Sequence, residues 1–331
     1  MSVRFTLLEG PARAPAIAAH GREWFAARPP QAHAALVREL MEHPWAQRAW
    51  RVPALLGEAD AVLASCFLYE LDLRLDGRRL ELGGIGALHV RPDLRRLGLG
   101  RMLLERVHAW LGEQRKQGAF LFSAIGDAYY ERLGYVALPG RELSGRFARG
   151  ARDREPTDCT LRPYAPADFA AVRELYNLTS SLQRIALLRT DDYWDFRLER
   201  TRRSAQLGFD PPHAGAFLVA EREGQIAAYL RSALEQDGRR LRLLEWGCAA
   251  GAHEVLRALI ERARALAAQP GRAAPVELRA VGPARIANAC GAREPSWAEE
   301  RDNRMLVLSF GTFALPECAF DERVLWASDW F

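Results

Sequence analysis

Hydrophobic and polar positions along this chain fall into short alternating and helical stretches whose order occurs twice. Alternation predicts a first strand over Val3 to Leu8. Helical spacing predicts helices over Ala14 to Ala27 and Gln31 to Glu42, parted by Pro29-Pro30. Strands follow over Trp50 to Gly57 and Ala61 to Arg74. Asp76-Gly77 is a hairpin turn pair, and the partner strand runs from Arg79 to Val90. Leu103, Leu104, Val107, Trp110 and Leu111 form the apolar stripe of a helix from Gly100 to about Lys116. Gly118 ends it, ahead of a buried strand over Ala119 to Ser123.

From about Pro139 to Thr157 the chain turns to Arg, Gly, Asp and Glu, which places a boundary near Asp158, with a strand over Glu142 to Phe147. The two parts are residues 1–150 and 158–331. The second part opens with a strand over Thr160 to Tyr164 and a helix over Ala165 to Tyr176. A hairpin follows (Ala216 to Ala220, Gln225 to Ser232), then a strand over Arg240 to Gly247. His253 to Ala268 reads as an amphipathic helix, Pro275 to Val281 as a strand, Ala284 to Gly291 as a short helix and Met305 to Phe310 as a closing strand. The sequence strand, helices, three strands, helix, strand, helix, strand is therefore repeated: a domain-sized unit has been duplicated.

With 331 residues, 49% of them apolar, the chain can bury two cores. The net charge of +4 is mild and carried by arginine, Lys116 being the one lysine; no run of like charges marks a nucleic-acid surface. Cys66, Cys159, Cys248, Cys290 and Cys318 are odd in number and widely spaced, which fits free thiols in a reducing compartment. The N-terminus lacks a signal-peptide core, and no apolar run approaches the roughly 20 residues that span a bilayer. A soluble cytoplasmic protein is expected, without membrane or nucleic-acid partners and without a metal, since the histidines lack ligand spacing. A homo-oligomer is compatible with all of this.

The chemistry concentrates between Gly83 and Tyr135. An apolar strand, Gly83-Gly84-Ile85-Gly86-Ala87-Leu88-His89-Val90, runs through Arg91-Pro92-Asp93-Leu94 into Arg95-Arg96-Leu97-Gly98-Leu99-Gly100-Arg101 and a helix. Backbone N–H groups at such a helix start have no earlier carbonyl to bond, and the positive end of the helix dipole lies there. A diphosphate fits that place. Gly98 and Gly100 let phosphate approach the backbone, and Arg95, Arg96 and Arg101 add countercharge, each charge-assisted bond contributing about 1.5–3 kcal/mol. A dinucleotide fingerprint would need glycine where Leu103 stands, and the P-loop lysine is missing. After the next strand, Tyr129-Tyr130-Glu131-Arg132-Leu133-Gly134-Tyr135 brings a phenol that can donate a proton.

On these residues, 3–147 resemble a GCN5-related N-acetyltransferase domain, whose cofactor signature Q/R-x-x-G-x-G/A is matched by Arg95 to Gly100. The resemblance implies an α+β architecture: two tandem acyl-CoA N-acyltransferase folds, each a mixed, mostly antiparallel sheet flanked by helices, with a splay between two central parallel strands. It implies acetyl-CoA as cosubstrate, held by Leu88, His89, Val90, Arg95, Arg96, Leu97, Gly98, Leu99, Gly100 and Arg101, with Ile125 and Gly126 joining the set. The tyrosine four residues before a glycine-aromatic pair corresponds to Tyr130, the general acid; Tyr129 is expected to pack. The tandem layout is similar to the enhanced intracellular survival acetyltransferases, without their sterol-carrier-like third domain. In that family the first copy is active and the second degenerate. Here Cys248-Ala249-Ala250-Gly251-Ala252-His253 lacks paired arginines, and Ala287 stands where the tyrosine would recur. The second half is expected to shape the acceptor pocket or to stabilise the first.

The implied reaction is acetyl transfer to the primary amine of a small molecule, possible acceptors including aminoglycoside-like polyamines. Transfer of another acyl group, an alcohol acceptor, and a non-catalytic acyl-CoA sensor or scaffold are the alternatives. For the base, many relatives carry a glutamate at or near Gly83 or Gly84; here Glu81 is the nearby carboxylate in that strand, and the C-terminal carboxylate of Phe331 is a second candidate. His89 is weighed as a base against ordinary packing in a strand. Trp24, Trp45, Trp50 and Trp194 are weighed as an acceptor cleft against ordinary core packing.

Overall fold

The computed structural model describes residues 2–24, 30–123, 125–138, 141–147, 158–207, 215–235, 238–268, 275–281, 286, 293–299, 304–315 and 323–324. Along the first half run β1 (Arg4–Leu7), α1 (Ala14–Trp24), α2 (Pro30–Met41), α3 (Pro44–Ala49), β2 (Trp50–Arg51), β3 (Pro53–Leu56), β4 (Val62–Leu75), β5 (Arg78–Val90), α4 (Leu99–Glu113), β6 (Gly118–Ser123), α5 (Ala128–Glu131), β7 (Val136–Ala137) and β8 (Arg141–Arg146). The second half continues with β9 (Cys159–Pro163), α6 (Phe169–Ser181), β10 (Ile185–Leu188), α7 (Asp191–Gln206), β11 (Gly215–Arg222), β12 (Gln225–Leu234) and β13 (Arg240–Cys248). It ends with α8 (His253–Ala267), β14 (Glu277–Val281), β15 (Arg293–Glu299), β16 (Arg304–Ser309) and β17 (Arg323–Val324).

The architecture is α+β, with two mixed, mostly antiparallel sheets flanked by helices. The first sheet has the order β1-β3-β4-β5-β6-β16-β7, with β2 and β10 also on β4 and β17 on β10; the second has the order β15-β8-β14-β13-β12-β11-β9. Leu99, Leu103, Leu104, Val107 and Leu111 of α4 pack on one face of the first sheet against Leu68, Ile85 and Leu121. On the other face α1, α2 and α3 bury Ile17, Leu36, Leu40 and Trp45 together with Phe196 of α7. The second sheet closes on α6 and α8 through Leu175, Tyr176, Leu256 and Leu259.

Sheet membership crosses the sequence boundary expected near Asp158 in both directions. β8, at the end of the first half, lies between β14 and β15, pairing Leu143 with Ala280 and with Trp297. β16, expected to close the second sheet, lies between β6 and β7, pairing Leu306 with Leu121 and with Ala137. The exchange has a packing reason: Leu143 and Phe147 belong to the second core, whereas Met305, Leu306 and Val307 are buried in the first. Hydrophobic alternation marked both strands but carried no label for the sheet. The helix expected over Ala284 to Gly291 lies outside the described residues apart from buried Ile286. α3, β10 and α7 were not anticipated; α7 is a charged run (Asp191, Asp192, Asp195, Glu199, Arg200) whose Tyr193, Trp194 and Phe196 break the usual stripe.

The exchanged strand sits very close to its neighbour at Gly118, where an added Cβ would lie 2.2 Å from the Leu308 carbonyl oxygen. Backbone cannot give way there as a flexible side chain can. Gly118→Ala is expected to cost about 2–4 kcal/mol in urea unfolding; a loss under about 0.5 kcal/mol, the level of a neutral surface change, would contradict this packing.

Candidate active site

The two central parallel strands pair only in part. β5 and β6 are in register from Leu82 with Gly118 to Ile85 with Leu121, although β5 continues to Val90 and β6 to Ser123. On its other edge β5 slips against β4: Ser65 faces His89, but Phe67 faces Gly86. The extra residue is taken up in a bulge where Ala87 has φ +49°, a left-handed conformation that an L side chain rarely adopts. Bulges leave backbone groups unpaired and redirect side chains. Here the bulge and the splay open onto a cavity of about 1130 Å³ lined by Gly86 to Val90 of β5 and by Leu121 and Phe122 of β6.

One arm of the cavity meets the start of α4. Gly98 has φ +81° and caps the helix without a side-chain hydrogen bond, and its carbonyl accepts the first helical bond, from Met102 N at 3.0 Å. The amides of the residues before Met102 therefore have no acceptor within the helix. Gly100 is closely surrounded: a Cβ there would stand 2.9 Å from the Tyr129 hydroxyl and 3.3 Å from Val90 Cγ2, so these side chains would have to shift. The arginines around this turn are in different states. Arg95 donates to Glu23 at 2.7 Å and to the Val90 carbonyl at 3.2 Å, and Arg101 pairs with Glu105 at 2.7 Å. Arg96, left-handed at φ +69°, lines the cavity and has no ion pair among the described residues.

Tyr130 closes the inner end of this arm. It is buried, lines the cavity, and meets Tyr129 and Tyr135 edge to face at centroid distances of 5.0 and 5.9 Å. Burial pushes its phenol well above the usual tyrosine range, Tyr129 and Cys66 adding to the effect. The cavity is lined further by a lobe of Leu36, Val37 and Leu40 of α2, Trp50, Phe67 and Tyr69 of the sheet, and Phe196, Arg200 and Ser204 of α7.

Histidines His20, His33 and His89 come together on this wall. His20 Nε2 lies 3.0 Å from Ser65 Oγ, and its ring sits 4.4 Å from Phe67 and 6.1 Å from His89. Burial drives the His20 imidazole down to about 3, reinforced by His89 and His33 and opposed by the Ser65 contact. Burial also lowers His89, which Glu23 raises and Arg95 and Arg22 lower further.

Comparison with known proteins bears on this geometry. The family model for the acetyltransferase (GNAT) domain matches residues 12–137. Residues 12–137 are a GNAT domain. No curated protein sequence matches the chain significantly. Among solved structures, a probable N-acyltransferase from Enterococcus faecalis V583 superposes with a TM-score of 0.68 at 14% identity, covering 93% of this chain and 72% of that one. Eis1 from Mycobacterium abscessus gives 0.57 at 16% identity, over 92% and 73% of the two chains. Saccharomyces cerevisiae N-myristoyltransferase gives 0.55 at 11% identity, over 93% and 82%. At such identities the likeness is one of fold, and it extends over both halves.

Within the GNAT domain, Leu88, His89, Val90, Arg95, Arg96, Gly98, Leu99, Gly100, Arg101, Ile125 and Tyr130 line one cavity, whereas Leu97 and Gly126 do not; Leu97 points to solvent and the Gly126 carbonyl accepts a bond from Ser123 Oγ. Glu81, one of the two expected base candidates, is not among the described residues that line the cavity. It lies on the stretch of β5 before the splay, away from the cavity, with its carboxylate on Lys116 Nζ at 3.2 Å. A Cβ at Gly83 would meet Leu111 Cδ1 at 2.6 Å beneath α4, so a side chain there would have to displace Leu111. Phe331 lies outside the described residues. Of the tryptophans, Trp50 lines the cavity, Trp45 packs behind it against Tyr193 and Phe196, and Trp194 belongs to the second core. Sequence reasoning missed His20, His33 and the α7 residues, because only the packing of three separate helices on the sheet brings them together.

The second sheet repeats the bulge and the short parallel pairing. β12 and β13 slip between Arg231 and Ser232, and β13 runs parallel to β14 from Arg240 with Glu277 to Leu243 with Ala280. Just past that pairing, fully buried Glu245 accepts two bonds from fully buried Arg189, at 3.0 and 2.9 Å, and one from Tyr229 at 3.1 Å. The Arg189 guanidinium also lies over the Tyr176 and Trp194 rings at 4.1 and 4.3 Å. At this point the second copy carries a buried ion pair. Its turn into α8 is also short, residues 249–252 against 91–98 in the first copy.

The histidine wall couples stability to pH. His20 is depressed in the folded chain, so below about 6.5 the unfolded chain takes up a proton that the folded chain refuses. Stability is thus full above that pH and is lost as pH falls toward the folded value of about 3. Urea unfolding of the wild-type chain at pH 7 and 5.5 is expected to differ by about 1 kcal/mol more than in His20→Gln. Equal differences in the two proteins would contradict a buried neutral His20.

Proposed function

We propose that the chain is an acyl-CoA-dependent N-acyltransferase that moves an acetyl group from acetyl-CoA directly to the primary amine of a small molecule. One observation carries this reading: the open helix start at Gly98 to Arg101, the bulged edge of β5 and the Tyr130 side chain all face a single cavity. The pyrophosphate is held by the amides opening α4, with Arg96 as countercharge. The pantetheine arm extends β5 as a further strand would, on the side that β6 has left. Backbone N–H groups near Val90 polarise the thioester carbonyl.

An amine of pKa near 10 is about 0.1% neutral at pH 7, so the attacking nitrogen has to shed a proton. His89 is the candidate acceptor: it lines the cavity beside Leu88, and burial lowers it below the usual histidine range, against the pull of Glu23, which keeps the ring free to take a proton at neutral pH. The amine nitrogen then forms a bond to the carbonyl carbon. When the C–S bond breaks, the thiolate takes its proton from Tyr130, and the phenolate takes back the second proton that the amide nitrogen still carries, so coenzyme A leaves as the thiol and the amide leaves neutral. A phenol kept neutral by burial holds that proton until the thiolate forms beside it.

Two measurements test the reading. Titration calorimetry is expected to detect acetyl-CoA uptake, and thiol release is expected with an amine acceptor. Tyr130→Phe is expected to lower kcat by about 100-fold or more with acetyl-CoA affinity unchanged. Unaltered turnover would remove Tyr130 from the mechanism, and uptake without turnover on any acceptor would favour an acyl-CoA sensor.

A further inference from the structure

We infer that the acceptor is a monoamine carried on an apolar, aromatic-sized body, seated in the lobe between α2, β4 and α7, and not a polycation. The inference rests on the N-acyltransferase reading and specifies its second substrate. The cavity of about 1130 Å³ exceeds the ~300–1,000 Å³ of an ordinary ligand pocket, which leaves room for a molecule beside the pantetheine arm.

The lining of that room is apolar and aromatic. Trp50 meets Phe67 edge to face at 5.1 Å, lies 5.1 Å from Tyr69 and reaches Phe196 at 6.1 Å, so the rings form one continuous wall. Leu36, Val37 and Leu40 line the same cavity and belong to the same apolar cluster. Aromatic walls of this kind select flat apolar bodies through buried area and edge-to-face contacts.

Charge argues in the same direction. Among the described residues that line the cavity, Glu23 is the one carboxylate, and it is engaged by Arg95 at 2.7 Å. The other ionisable lining groups are the arginines, the histidines and the tyrosines. Each ammonium of a polyamine or an aminoglycoside would need a counter-charge or water in this lobe, and burying one without either is costly. A monoamine avoids that cost, because it loses its only charge when it becomes the nucleophile. An apolar surround also lowers the amine's pKa and raises its neutral fraction.

The experiment uses the full chain, acetyl-CoA and a thiol-release assay. Phenethylamine and tryptamine are compared with spermidine and an aminoglycoside, and acetyl-CoA with octanoyl-CoA. The arylalkylamines are expected to exceed the polycations in kcat/KM by about tenfold or more. Ser204→Asp, on the half-exposed face of α7, is expected to narrow that ratio, and Phe196→Ala to raise KM for the arylalkylamines about tenfold, both without altering acetyl-CoA affinity. Polycations turned over as well as or better than arylalkylamines would overturn the inference. So would a preference for octanoyl-CoA, which would make the lobe the seat of the donor's acyl chain, and so would acetyl-CoA uptake with no arylalkylamine acetylated. Absence of acetyl-CoA uptake is a different result, and it would overturn the N-acyltransferase reading itself.

Discussion

Backbone amides and carbonyls need partners, and past Ile85 and Leu121 the strands β5 and β6 cease to supply each other with them. That interruption organises the first half of the molecule. The bulge at Ala87 sustains it by turning β5 away from the ladder. The apolar stripe of α4 holds the paired ends of the two strands together from one face, leaving the opening at the other end. The amides at the start of α4 converge on the same space, so unpaired donors from a strand and from a helix face one cavity.

The second copy places buried polar groups beside the corresponding strands. Its central strands carry a comparable slip and a comparable parallel segment, and Glu245, Arg189 and Tyr229 satisfy one another there. A buried ion pair of this kind is expensive to break once formed, because removal of one partner leaves a lone buried charge. The second copy also forms a wall: α7 lends Phe196, Arg200 and Ser204 to the first copy's cavity. Contacts such as His43 with Asp195 at 3.1 Å and Arg203 with Glu39 at 2.7 Å tie that helix to α2 and α3. The reciprocal placement of β8 and β16 joins the halves further, since neither sheet is complete without a strand from the other.

Much of this was legible in the residues. The glycine turn after an apolar strand, the helix stripe beginning at Leu103 and the tyrosine segment after β6 are local signals, and local signals fix local geometry. The destination of β8 and β16 was not legible, because alternation states which face of a strand is buried and not which sheet receives it. The histidine wall escaped for a related reason: His20, His33 and His89 lie on separate elements, and a lone histidine on an apolar helix face has no sequence mark that distinguishes a cavity wall from core. Glu81 was the nearest carboxylate by sequence, but the parallel pairing of Leu82 to Ile85 separates it from the opening.

Amide hydrogen exchange with and without acetyl-CoA tests the central claim most directly. Residues 86–90 and 98–101 are expected to gain protection when acetyl-CoA is added, and residues 244–253 of the second copy are expected to be unchanged. Protection confined to the second copy, or none at the start of α4, would contradict the account.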